Sequence, residues 1–90
     1  MENMSNFFKA RFLEHEFTIK EIAVAMLVID GEDNKDIAKK MKISLGTTKM
    51  HVGNIYRKVG YSDRNRFISD SYKSYLIHQA VIVELSRGKR

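Results

Sequence analysis

Two amphipathic segments separated by only three residues dominate the middle of this chain. In the second, Thr48, Val52, Ile55 and Val59 follow one another at intervals of four, three and four. That spacing lines one stripe of an α-helix. Lys49, Met50, Gly53, Asn54 and Arg57 fall on the opposite side. Ser44 can cap the start of this helix and Gly60 can stop it, which predicts a helix over 45–59. The first segment, Asn34 to Met41, follows the cap residue Asp33 and has Ile37, Ala38 and Met41 on one face. Ala38 is small enough to let a neighbouring helix approach closely. Lys42 and Ile43 make the turn between the two.

Capping signals predict two more helices around this pair. Thr18-Ile19-Lys20-Glu21 has the form of a capping box. Ile19, Ile22, Ala23, Met26 and Ile29 then repeat with helical period, and Gly31 can end a helix over about 18–30. Ser62 or Asp63 caps a fourth helix carrying Phe67, Ile68, Tyr72, Tyr75 and Leu76, which extends at least to residue 76. No breaker precedes Gly88, but the β-branched run Val81-Ile82-Val83 fits an extended segment equally well. Phe7, Phe8, Phe12 and Leu13 suit a short amphipathic helix from about Ser5, packed on the domain or on the C-terminal segment. Arg87 to Arg90 reads as a basic, disordered tail. The expected layout is an all-α domain over 17–77, an N-terminal segment 1–16 and a C-terminal extension 78–90. The complete absence of proline agrees with long, unbroken helices.

Composition removes several function classes. With no cysteine there are no disulfides, thiolate metal sites or cysteine nucleophiles. Paired carboxylates, glycine-rich phosphate loops and histidine–carboxylate metal spacings are absent too, so neither an enzyme nor a cofactor or metal is expected. The apolar run Ala23–Ile29 is too short to cross a bilayer, and Met1-Glu2-Asn3-Met4 does not start a secretory signal. The expectation is a cytoplasmic protein without a membrane partner.

Charge is distributed unevenly. Between Asn34 and Arg66 stand Lys35, Lys39, Lys40, Lys42, Lys49, Arg57, Lys58, Arg64 and Arg66 against only Asp36 and Asp63, a local net charge of +7 within a total of +5. A basic block in a folded segment suits a polyanion, although a solvated lysine-rich face would look the same. Two short helices joined by a tight turn, the second capped and basic, form a helix-turn-helix pattern. In that motif the second helix enters the major groove of DNA.

The residue string itself resembles a known family. Phe17-Thr18, Lys20-Glu21, Gly31, Asn34-Lys35-Asp36-Ile37-Ala38, Ile43-Ser44, Thr47, Lys49, His51, Asn54-Ile55, Lys58-Val59-Gly60 and Arg64 are similar to the LuxR/GerE helix-turn-helix domains, over Phe17 to about Leu76. The resemblance implies a four-helix fold whose third helix reads double-stranded DNA and whose fourth often forms a dimer contact. It also implies a bacterial transcription regulator acting on a two-fold related site. The sixteen residues before Phe17 cannot hold a receiver or ligand-binding domain, so a stand-alone member of GerE type is expected. Two positions depart from the pattern. Thr48 stands where valine is usual, and its hydroxyl needs a partner such as a carbonyl one turn back. Gly53 stands where a long polar side chain is common.

These readings yield candidate contacts. Lys49, Met50 and Gly53 are assigned to bases. Lys49 suits guanine acceptors or a phosphate, Met50 a thymine methyl, and Gly53 close backbone approach. Lys35, Ser44, Thr47 and Arg57 are assigned to phosphates, and Lys58 to solvent. His51 reads as a packing histidine with no metal or catalytic role. Tyr72, Tyr75 and Leu76 serve either the domain's own core or a homodimer interface. Gly53 and the apolar C-terminal stretch also suit an adaptor that pairs with RNA polymerase or another regulator without reading DNA.

Overall fold

The computed structural model describes residues 3–88, which form five helices and no strand. They are α1 (Met4–Glu14), α2 (Ile19–Ile29), α3 (Asn34–Met41), α4 (Leu45–Val59) and α5 (Arg64–Arg87). Each starts at a side chain that satisfies an otherwise orphaned amide. Asn3, Asp33 and Ser44 accept from the amides of Asn6 (2.8 Å), Asp36 (2.9 Å) and Thr47 (3.0 Å). Asp63 accepts from Asn65 and Arg66, which settles the Ser62–Asp63 choice. The capping box before α2 is complete: the Glu21 amide donates to Thr18 Oγ1 (3.1 Å) and the Thr18 amide donates to Glu21 Oε1 (2.8 Å). Gly31 and Gly60 take positive φ (89° and 91°) after α2 and α4, where a side chain would be strained.

The core is one cluster of aromatic and aliphatic side chains. Phe8, Phe12, Phe17 and Phe67 are buried, and Phe12 stacks between Phe17 (5.0 Å) and Phe67 (5.8 Å). Val24, Val28, Ile37, Val52 and Ile55 fill the space among α2, α3 and α4. Each such side chain contributes about 1.5–3 kcal/mol on burial. Thr48 is fully buried, and its hydroxyl donates to the Ser44 carbonyl one turn back at 3.0 Å.

Several expectations need correction. The buried face of α2 is Glu21, Val24, Ala25, Val28 and Ile29, whereas Ile19 is 85% exposed and Ile22, Ala23 and Met26 are half-buried. Leu13 of α1 points away from the core, 61% exposed. The Val81-Ile82-Val83 run is helical, so α5 continues unbroken to Arg87. Arg87 therefore belongs to α5 and not to a disordered tail, while Lys89 and Arg90, like Met1 and Glu2, lie outside the described residues.

Candidate nucleic-acid interface

α3 and α4 pack closely across the turn at Lys42 and Ile43. Lys42 takes the left-handed conformation (φ 57°), and the Ile43 amide donates to the Ala38 carbonyl at 3.0 Å. This closes α3 and reverses the chain into the Ser44 cap. Burial of Thr48, Val52 and Ile55 fixes how α4 is rotated, so its other face is turned outward. Lys49, Met50, Gly53 and Arg57 all lie on that outer face, with Met50 55% exposed. Asn54 borders it and accepts a hydrogen bond from Arg57 Nη1 at 2.8 Å. The other guanidinium N–H groups keep their donor capacity.

At the start of α4, Ser44 Oγ accepts from the Thr47 amide and donates to Thr47 Oγ1 at 2.9 Å. The Thr47 hydroxyl proton is therefore available to an acceptor outside the chain. Lys35 is exposed in the first turn of α3, between the acids Asp33 and Asp36. The structure thus brings Ser44 and Thr47 into contact and aligns Lys49, Met50, Gly53 and Arg57, while Lys35 belongs to the neighbouring helix. His51 is half-buried at the edge of this face.

Part of the basic block is committed inside the chain. Lys58, expected in solvent, pairs with Glu21 Oε1 at 2.6 Å and donates to the Glu16 carbonyl at 2.9 Å. Glu21 is a carboxylate only 4% exposed, and the cation that compensates its burial has to come from a packed neighbour. Burial pushes the Glu21 carboxyl up, but the Lys58 ammonium and the Thr18 amide outweigh this and hold it below the usual carboxylate range. Arg64 donates to the Glu32 carbonyl at 2.9 Å and to Asn34 Oδ1, tying the start of α5 to the α2–α3 turn. Lys40 pairs with Glu32, which lies just outside the block. Arg66 sits over the Tyr61 ring (4.3 Å) and pairs with Asp70 (3.5 Å). The bases left to face a polyanion are Lys35, Lys39, Lys42, Lys49 and Arg57. Lys39 and Lys42, beside the turn, are marked in the sequence only by their charge.

The aromatic residues expected at a dimer face are engaged within the chain. Tyr72 Oη donates to the Ile29 carbonyl (3.2 Å) and its ring meets Phe8 edge-on (5.7 Å). Tyr75 packs on Phe7 (5.5 Å) and Phe8 (6.1 Å). Leu76 is 65% exposed. Among the described residues, no group of three or more His, Asp or Glu side chains gathers to hold a metal ion, and no helix is long and apolar enough to cross a membrane.

Comparison with known proteins agrees with this geometry. Residues 15–69 match the family described as "Bacterial regulatory proteins, luxR family". The chain is 31% identical over 67 residues to the transcriptional regulatory protein LiaR of Bacillus subtilis, covering 73% of this chain and 32% of that one. It is 37% identical over 60 residues to the transcriptional regulatory protein DegU of Brevibacillus brevis, covering 67% and 25%. With the response regulator protein VraR of Staphylococcus aureus it shares 32% over 75 residues, covering 82% and 36%. The chain spans a quarter to about a third of the length of these relatives. No solved structure matches it. The matched stretch takes in the capping box, α2, the α3–turn–α4 unit and the start of α5, so the chain belongs to the luxR family of bacterial regulatory proteins.

Proposed function

We propose that the protein regulates transcription by binding double-stranded DNA sequence-specifically, with α4 in the major groove and two copies on a two-fold related site. The observation that carries this reading is the division of α4 into a buried Thr48–Val52–Ile55 stripe and an outer face holding Lys49, Met50 and Gly53. A helix presented in this way, with its capped N-terminus uncovered, suits the groove of B-DNA. Lys49 and Met50 address base edges and Gly53 lets the backbone approach. Lys35, Ser44, Thr47 and Arg57 hold the flanking phosphates. In this reading the protein is cytoplasmic, needs no cofactor and catalyses no reaction.

Selection of duplexes from a random library by the purified chain tests the proposal. Recovery of one motif, arranged as an inverted repeat, is expected. Lys49→Ala should change the preferred bases at a cost of about 1–3 kcal/mol on the best site, whereas Lys35→Ala should weaken all sequences alike. No enrichment over random duplex at moderate salt would overturn it.

The adaptor reading keeps one specific support. Leu76, Ile77, Val81 and Leu85 are each more than half exposed on α5, an apolar surface that DNA contact does not explain. Activity that survives Lys49→Ala and Met50→Ala together would favour pairing with RNA polymerase or another regulator.

A further inference from the structure

Between α1, the end of α4 and α5 lies a partly enclosed cavity of about 90 Å³. Phe12, Val59 and Phe67 give it an apolar lining. Its polar groups are sorted by element. Arg11 of α1 and His15, the C-terminal cap of that helix, bring donors, whereas Asp70 and Ser71 of α5 bring acceptors. Ser71 is 3% exposed and donates its hydroxyl proton to the Phe67 carbonyl at 2.7 Å, so its oxygen is left to accept. Asp70 Oδ2 meets Arg66 Nε at 3.5 Å, and Oδ1 keeps its acceptor capacity.

Arg11 and Asp70 bring opposite charges to this one cavity, yet they do not pair with each other. The Arg11 guanidinium has neither a hydrogen-bond acceptor nor an ion-pair partner among the described residues. Both charges reach the Tyr61 hydroxyl, which also lines the cavity. Burial pushes its pKa up, the Asp70 carboxylate adds to this, and the Arg66 and Arg11 guanidiniums oppose it. A half-buried cation and anion held apart across a small gap are bridged best by a ligand of both signs, because such a ligand brings no net charge to bury. The gap also sets the size. A cavity of about 150 Å³ takes benzene, with its six heavy atoms, so this one takes about four or five.

We propose that the cavity binds a small zwitterionic amino acid of the size of glycine, its carboxylate on Arg11 and His15 and its ammonium on Asp70 and Ser71. A guanidinium takes a carboxylate as a bidentate pair, and an ammonium has three donors for the acceptors of α5. Val59 continues the buried stripe of α4, so the site lies on the side of that helix turned away from Lys49 and Met50. Its occupancy is therefore independent of the DNA reading above. The bound ligand joins α1 to α5 and favours the docked position of α1 by mass action.

Titration of the full chain with glycine at constant ionic strength, followed by heteronuclear NMR, tests the site. Saturable shifts are expected at residues 11–15, 59–61 and 70–71, with slower amide exchange along α1. Arg11→Gln and Asp70→Asn should each weaken binding about tenfold or more, since each removes a charge-assisted contact. Lys9→Gln removes a positive charge from an exposed position of α1 and should leave binding unchanged. Acetate and methylammonium, each with half of the charge pair, should bind about tenfold more weakly than glycine. Betaine, whose trimethylated nitrogen donates nothing, should give no saturable shift. This ligand comparison uses the unaltered chain and stands on its own if a variant loses helix by circular dichroism. Shifts that rise linearly with glycine, as for a cavity filled by water alone, would overturn the proposal. Acetate or betaine binding as tightly as glycine would do the same, as would unchanged affinity in either folded variant.

Discussion

Gly53 is the residue on the outer face of α4 with the least structural reason to be glycine. It sits mid-helix, and a Cβ built there meets nothing within 4 Å. Gly53→Ala should therefore stabilise the domain by about 1 kcal/mol through helix propensity alone, read as a higher urea midpoint. If Gly53 serves close approach to DNA, the same variant loses affinity for the selected site while gaining stability. Lys58 and Glu21 make the opposite case, two charged residues retained for the fold. Lys58→Met removes the cation from a buried carboxylate and should cost about 1–3 kcal/mol, visible in the same urea titration. The Glu21 contribution also has a defined pH dependence. Its carboxyl is held below the usual carboxylate range in the folded chain. Its stabilising effect is therefore complete above the pKa of an unfolded glutamate and disappears as pH falls through the lowered folded value. Relative to Glu21→Gln, wild type should lead at pH 7 and lose that lead toward pH 3. A difference that does not shrink on acidification would contradict the pairing with Lys58.

Helix ends were readable from sequence because each carries its own short-range chemistry. Asp33, Ser44 and Gly60 mark termini through one hydrogen bond or one backbone angle, and the observed boundaries of α3 and α4 fall there. The direction a helix faces is decided by its neighbours, and there the sequence was less informative. Ala23 to Ile29 is apolar on every side, so its periodicity has no polar contrast to fix a phase. The actual phase places Glu21 against Lys58, residues 37 apart in sequence that both belong to the string resembling the family. The outward placement of Lys49, Met50, Gly53 and Arg57 was legible because the Thr48–Val52–Ile55 stripe opposite them is unambiguous. The fate of Tyr72 and Tyr75 was not, because it depends on α1, which docks from the far end of the chain. That docking has a measurable size. Phe12 is 1% exposed and stacks on both Phe17 and Phe67, so Phe12→Ala should cost about 3–5 kcal/mol. Phe7 is only half-buried, and Phe7→Ala should cost clearly less. Equal urea midpoints for the two variants would mean that α1 is not packed as described.

The described residues measure 54 × 24 × 21 Å, elongated because α5 runs for 24 residues, a length of about 36 Å, past a domain built from short helices. Its surface charge differs from what the sequence total suggests. Of the nine bases between Asn34 and Arg66, Lys40, Lys58, Arg64 and Arg66 are engaged by Glu32, Glu21, Asn34 and Asp70 of the same chain. Binding of a polyanion releases counterions only for bases that reach phosphates. If all nine did so, the logarithm of affinity would fall with the logarithm of salt concentration at a slope of about −8 per copy. With five available, the slope should be no steeper than about −4.5 per copy, and about −3.6 if Lys49 is on a base. Substitution separates the two groups. Lys39→Ala or Lys42→Ala should lower the magnitude of the slope by about one. Lys40→Ala should leave it nearly unchanged, because that ammonium is neutralised by Glu32 before DNA arrives. Filter binding of a fixed duplex between low and moderate salt reads these slopes directly. A slope that drops as much for Lys40→Ala as for Lys42→Ala would show that the Lys40–Glu32 pair opens on DNA and that the accessible charge is larger than the folded chain displays.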